Sequence, residues 1–186
     1  MTSKKYVDDL IKRITLVTAT PTMTSNETII NGLIYIASAS DPPLGIEFRH
    51  EPWTAFQNFS AYPNSWGFEV PENSWIPLKY PIPLSMKGFH IIPSSETYNG
   101  TISSWNVQAS NDGIVFDRIV PPNTTRLING TLHKFTFEIS SKYAYWRFHM
   151  ISMINAENAG ISMLRWIPTL PDIFLPRNAL SVIYLD

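Results

Sequence analysis

The chain predicts an all-β fold, an antiparallel β-sandwich of two sheets with one short N-terminal helix, and three observations carry that prediction. Helical periodicity is confined to residues 1–16. From Thr15 onward, β-branched and aromatic runs are separated by Pro, Gly, Asn and Ser. Several of those runs alternate between apolar and polar residues, which sets one buried face against one wet face and calls for two packed layers.

In the helix, Val7, Leu10, Ile11 and Ile14 recur at three- and four-residue spacing between Asp8, Asp9, Lys12 and Arg13, and Ser3 is placed to cap its start. A helix this short is marginal alone in water, so residues 1–16 read as a stem that needs the domain or copies of itself. Strands are expected at 32–37, 75–78, 87–92, 104–110, 115–119, 134–139, 145–151 and 162–167, with a tail strand at 180–185. In KFTFEI, Phe135, Phe137 and Ile139 face one side and Lys134, Thr136 and Glu138 the other. The prolines at 81, 83, 121 and 122 are expected between strands or at their edges, with Pro77 as the exception. The chain thus divides into a stem at 1–16, a sandwich at 17–168 and a C-terminal extension at 169–186 with an edge strand.

Composition removes several classes of function. Hydrophobic residues at 44% and aromatics at 13% of 186 residues support a sizeable core in one domain. A net charge of -1 provides no long-range field toward nucleic acid or anionic lipid. No segment approaches the ~20 apolar residues of a membrane helix, and the charged N-terminus has no secretory signal. With Cys 0, disulfides, thiolate metal sites and cysteine nucleophiles are excluded together. His50, His90, His133 and His149 lack metal-ligand spacing and read as isolated surface or rim positions. No nucleophile elbow, phosphate loop or dinucleotide fingerprint occurs. Glu47, Glu51, Glu69 and Glu72 are the nearest to a paired-carboxylate arrangement, but they flank prolines and loop residues and read as surface solvation. The chain is therefore expected to be no enzyme and to need no cofactor or metal.

The stretch WNVQASNDGIVFDRI reads as two strands around Asp112-Gly113, a dipeptide that accepts the positive φ of a two-residue hairpin loop. Trp105, Val107 and Ala109 share one face; Asn106, Gln108 and Ser110 share the other. The run from Ser110 to Gly113 followed by Phe116 resembles the Ser-Asn-Asp-Gly signature of the discoidin family, also called the coagulation factor V/VIII type C domain, relatives of which are the family 32 carbohydrate-binding modules. Thr54 to Phe56 followed by Trp66, SWIPLKYPIPLSMKGFHI at 74–91, KYAYWRFHM at 142–150 and AGISMLRWI at 159–167 are similar to further family motifs, in family order over residues 30–168. The resemblance implies a jelly roll of about eight strands whose loops at one end form a ligand-binding rim. It implies binding without catalysis.

Two departures bear on sites. Gln57 and Asn58 stand where relatives carry an Asp, and Arg165 where they carry a Glu, which argues against the structural calcium of the carbohydrate-binding relatives and suggests an Arg165 contact in its place. The relatives' arginine has no counterpart between Pro93 and Ser104, so galactose-type recognition loses its usual anchor. Separately, SKKYVDDLIKRI resembles short segments of bacteriophage tail fibres, which implies a trimeric stem carrying this domain at the tip of a viral fibre.

Aromatic rings stack on sugar faces and amides meet hydroxyls, so loop residues Arg49, His50, Trp53, Tyr98 and Asn99 form the expected binding patch, completed by Asn155 and Asn158. Trp66 is expected in the core beneath the rim, and Trp146, Phe148 and Met150 in the core proper. The sequence-level reading is a host-attachment domain of a virion, recognising cell-surface glycan through a homo-trimer and touching other virion proteins. The alternatives are a structural virion subunit without a glycan site, or an extracellular carbohydrate-binding module of a secreted bacterial protein.

Overall fold

Alternating apolar residues need a second layer to cover them, and the chain supplies it with two antiparallel sheets. In a computed structural model of the chain, the described residues are 20–30, 32–40, 51–57, 66–68, 73–95, 100–154 and 159–169. The expected N-terminal helix and the tail strand at 180–185 lie outside them. The larger sheet has the order β1 (Glu27–Ile30), β2 (Leu33–Ala37), β4 (Trp75–Leu84), β9 (Tyr143–Ile154), β6 (Thr101–Ser110), β7 (Asp117–Asn123). The smaller has the order β3 (Trp66–Phe68), β10 (Ala159–Pro168), β5 (Met86–Pro93), β8 (His133–Thr136). The expected all-β sandwich is thus the observed one, with ten described strands instead of about eight.

The two unexpected strands escape sequence reading for a physical reason. In β1, Thr28 is buried while Ile29 is exposed, so the apolar residue points the wrong way for a pattern search. β3 spans three residues and shows no period at all.

The core fills the space between the sheets with rings. Phe89 of the small sheet meets Trp105 edge-on at 5.4 Å and lies 5.7 Å from Phe148, both on the large sheet. It also touches Phe135 at 5.1 Å and Trp166 at 5.5 Å on its own side. Trp66, Trp105, Trp146 and Trp166 are all fully buried, as Trp66 and Trp146 were expected to be. A bulge at Ser162 rephases β10, so that Ile161 and Leu164, an odd number of residues apart, are both buried. At Gly88 a Cβ would sit 2.2 Å from the Phe135 carbonyl oxygen, so the close pairing of β5 with β8 requires glycine there.

The prolines do not keep to the strand edges. β4 runs through Pro77, Pro81 and Pro83, and β7 contains Pro121 and Pro122. The Pro77 carbonyl accepts from Ser38 N–H at 3.3 Å. Its ring nitrogen therefore faces the same side, past the last residue of β2, and the β9 ladder opposite loses no bond. Pro81 and Pro83 fall where the β4–β9 register breaks between Lys79 and Leu84. Pro121 and Pro122 lie on an edge strand.

The hairpin also differs from expectation. Residues 111–116, not two residues, connect β6 to β7. Asp112 organises this loop: its Oδ1 accepts from Ser110 Oγ at 2.8 Å, Ile114 N–H at 2.8 Å and Val115 N–H at 2.9 Å. Those donors hold the Asp112 carboxyl below its ordinary range. Gly113 takes φ +76 beneath the Tyr145 ring, where a Cβ would meet Tyr145 at 2.9 Å.

Candidate ligand-binding rim and the outer face of the large sheet

Strand register decides which connections share an end of the sandwich. Thr101 stands opposite Ile154 and Pro93 opposite Ile161, so the strand ends flanking 94–100 and 155–158 lie together. The β7–β8 connection reaches the same end: Leu127 N–H donates to the Ile102 carbonyl at 2.9 Å, Asn129 Nδ2 to that of Gly100 at 3.0 Å, and Gly130 N–H to that of Pro93 at 2.8 Å. The exit from β2 arrives there too, where Ser40 N–H donates to the Trp75 carbonyl and Ser40 Oγ accepts from Trp75 N–H at 2.9 Å.

Of the expected patch, Arg49, His50, Tyr98, Asn99, Asn155 and Asn158 lie outside the described residues. Trp53 lies within them, in a single 3₁₀ turn, Pro52–Phe56, whose Thr54, Ala55 and Phe56 are buried. Trp53 is half-buried and packs against the core, so its ring is not a free loop ring. The turn is tied to the start of β1: Trp53 N–H donates to Asn26 Oδ1 at 3.3 Å, and Asn26 Nδ2 donates to Glu51 Oε2 at 2.6 Å. Glu51 is thus more than a solvating carboxylate. Asn26 and Glu51 were not among the expected rim residues, because their partnership joins positions that only the fold brings together.

A second arrangement, which sequence reading missed, covers the outer face of the large sheet. Arg147 on β9, Gln108 on β6 and Arg118 on β7 stand in one row; His149 and Asn106 stand in the next, beside Trp75 on β4. Arg147 Nε donates to Gln108 Oε1 at 2.7 Å. Gln108 then has only its amide nitrogen for His149 Nδ1, 3.1 Å away, so that ring nitrogen accepts. Asn106 Oδ1 as placed is 3.2 Å from the same nitrogen; an accepting Nδ1 requires the Asn106 amide turned to present its nitrogen. The Arg147 guanidinium carbon lies 3.7 Å from the Phe116 ring centre and 5.0 Å from that of Trp75.

This network changes how the hairpin is read. Asn106, Gln108 and Ser110, expected on a wet face, are only 1%, 8% and 2% exposed. His149 is not isolated either. Burial, then the charge of Arg147, hold its imidazole below the usual histidine range, and a smaller contribution from Arg118 acts the same way against the backbone bond to Asn73. Burial alone draws Arg147 down from its usual range. His133 is also engaged, its Nε2 accepting from Ile128 N–H at 2.9 Å. The signal lay in the sequence as two outward-facing polar triplets, residues 106, 108 and 110 and residues 145, 147 and 149, whose pairing only strand order reveals.

Among the described residues, no group of three or more His, Asp or Glu side chains is placed to hold a metal ion. Two surface depressions open near the sheet's other end. One of about 400 Å³ lies beside Leu33, Ile36 and Pro81, and one of about 380 Å³ beside Asp112, Asp117 and Tyr143.

No protein-family model matches the chain, and no curated protein sequence matches it. Solved structures do. The chain is similar to CpGH89CBM32-5 from Clostridium perfringens, solved in complex with GalNAc-beta-1,3-galactose, with TM-score 0.59 and 19% identity over 72% of this chain and 94% of that one. It is similar to the family 32 carbohydrate-binding module of C. perfringens NanJ, solved with galactose, with TM-score 0.57 and 18% identity over 71% and 92%. A pectin-binding carbohydrate-binding module gives TM-score 0.53 and 16% identity over 75% and 91%. These likenesses establish a shared sandwich fold, the one implied by the discoidin resemblance. The tail-fibre resemblance of residues 3–14 finds no counterpart among them and lies outside the described residues.

Proposed function

We propose that this chain is a non-catalytic glycan-binding domain that works as an extracellular module of a secreted protein, with its ligand at the rim. The observation that carries this reading is the fold likeness to modules solved with bound sugars, over more than 90% of their length. Supporting it, strand register sets the strand ends flanking 94–100 and 155–158 side by side, and connections carried on a rigid sandwich are where binding residues tend to sit. Arg49, His50, Trp53, Tyr98, Asn99 and Asn155 are the proposed contacts, with Trp53 also serving the core.

Tyr98→Ala and Asn155→Ala on a glycan array test the rim. The expected result is loss of binding with the melting temperature kept. Unchanged binding by both variants would remove the rim from consideration.

A second reading, attachment at the tip of a viral fibre through a trimeric stem, is favoured by the resemblance of residues 3–14. Trimerisation would multiply weak single sites into useful avidity. Light scattering on the full chain and on a chain starting at Val17 separates the readings, since a monomer in both cases leaves the fibre without its stem.

A further inference from the structure

Opposite charges across neighbouring strands stabilise a sheet face, yet among the described residues the arginines on the outer face of the large sheet have no carboxylate for a partner. Arg147 and Arg118 flank Gln108 across three neighbouring strands, about 10 Å apart at two strand spacings. One row away, Lys79 lies 5.5 Å from the Tyr145 ring centre. The nearby carboxylates are engaged elsewhere: Asp112 by its own loop, and Asp117 by the Tyr143 hydroxyl, which donates to it at 3.2 Å. Arg147 is held on both sides by the rings of Trp75 and Phe116 and at Nε by Gln108. Among the described residues nothing takes the hydrogen bonds of its two amino groups, which form the half of the guanidinium fork suited to a carboxylate. Arg118 is exposed beside it.

We propose that the outer face of the large sheet is a second binding surface, distinct from the rim, for the carboxylates of a uronate-bearing polysaccharide. Arg147 is its fixed bidentate anchor, Arg118 is the second cation along the chain of sugars, and Trp75 supplies an apolar flank. Complementary charge selects the occupant: Arg147, Arg118 and Lys79 outnumber the two nearby carboxylates, Asp112 and Asp117, which are engaged by their own loop and by Tyr143, and the rings beside Arg147 add apolar area. The proposal rests on the reading of this chain as a glycan-binding domain and adds to it the class of glycan.

The test uses the full chain with polygalacturonate, its fully methyl-esterified form and dextran sulfate as probes, read by titration calorimetry beside the glycan array. Polygalacturonate is expected to bind, and esterification to abolish that binding. Arg118→Gln, a change at an exposed side chain, is expected to weaken it roughly tenfold while array binding of neutral sugars stays constant. Arg147→Lys, which keeps the charge but loses the planar fork, is expected to weaken it at least as much. Equal affinity of Arg118→Gln and the parent chain, or indifference to esterification, would overturn the proposal. Tighter binding of dextran sulfate than of polygalacturonate would overturn uronate as the occupant. Retained neutral-sugar binding with no polygalacturonate binding defeats this surface alone, whereas no binding to any glycan defeats the glycan reading itself.

Discussion

On β6, from Trp105 to Ser110, the residues of both faces are buried, by opposite means, while on β9 the inward residues are buried and the outward ones only half-buried. Inward, Trp105, Val107, Trp146 and Phe148 are 0 to 1% exposed and touch other rings and aliphatic chains. Outward, Asn106 and Gln108 are 1% and 8% exposed, yet they are covered by hydrogen-bonded polar groups, with Trp75 and Phe116 flanking Arg147. The inner face is held by contacts that are individually weak and collectively large. On the outer face Gln108 pairs with both Arg147 Nε and His149 Nδ1, so its removal strands two neighbours at once. The inner face should therefore fail by volume and the outer face by pairing.

The largest expected effect is on the inner face. Trp105→Ala removes the ring stacked with Phe148 and the Nε1 bond to the Thr125 carbonyl, and should cost about 3–5 kcal/mol in denaturant unfolding. Next comes Gln108→Leu, which keeps roughly the volume but leaves Arg147 Nε and His149 Nδ1 without their partner. About 1–3 kcal/mol is expected, and a cost near zero would show that the outer network carries no stability. Phe116→Ala should cost about 1 kcal/mol, and a double-mutant cycle with Arg147→Met, which removes the cation, should return most of it as coupling between the ring and the guanidinium.

The contrast between the faces also explains what the sequence made legible. Parity was readable: Trp105, Val107 and Ala109 do face the core together, because a strand has a period of two residues whatever surrounds it. Exposure was not readable, because Asn106 and Gln108 look solvated until β9 lays Arg147 and His149 beside them, about forty positions later in the chain. The prolines of β4 misled for a similar reason. A proline excludes a strand only if its nitrogen faces a partner, and strand order, not sequence, decides that for Pro77. At the candidate site, Trp53 reads from the sequence as a loop ring, but its packing against the core follows from the turn at Pro52–Phe56, which has no helical period to announce it.

The smallest expected effect concerns protons on the outer face. The groups facing the His149 imidazole are Arg147 from its own strand, Arg118 and the amides of Asn106 and Gln108 from neighbouring strands, and the Asn73 backbone. Burial first, and the two arginines after it, favour the neutral ring, which is also the form that lets Nδ1 accept from Gln108. The folded chain then binds fewer protons than the unfolded one just below the ordinary value of 6.5. Stability from this group is complete above that value and declines as pH falls from it toward the lowered folded value. His90, held low by burial and by the charges of Lys134 and Arg165, adds to the same slope. Asp112 acts only below its ordinary 3.8, outside this window. Melting curves should therefore fall between pH 7 and pH 5, and the ring resonances of His149 in an NMR titration should show a ring more than half neutral at pH 6.5. Arg118→Gln should move that titration slightly upward. A His149 ring that charges at 6.5 and ignores Arg118 would mean that the outer face is held by packing, as the inner face is, and not by directed pairing.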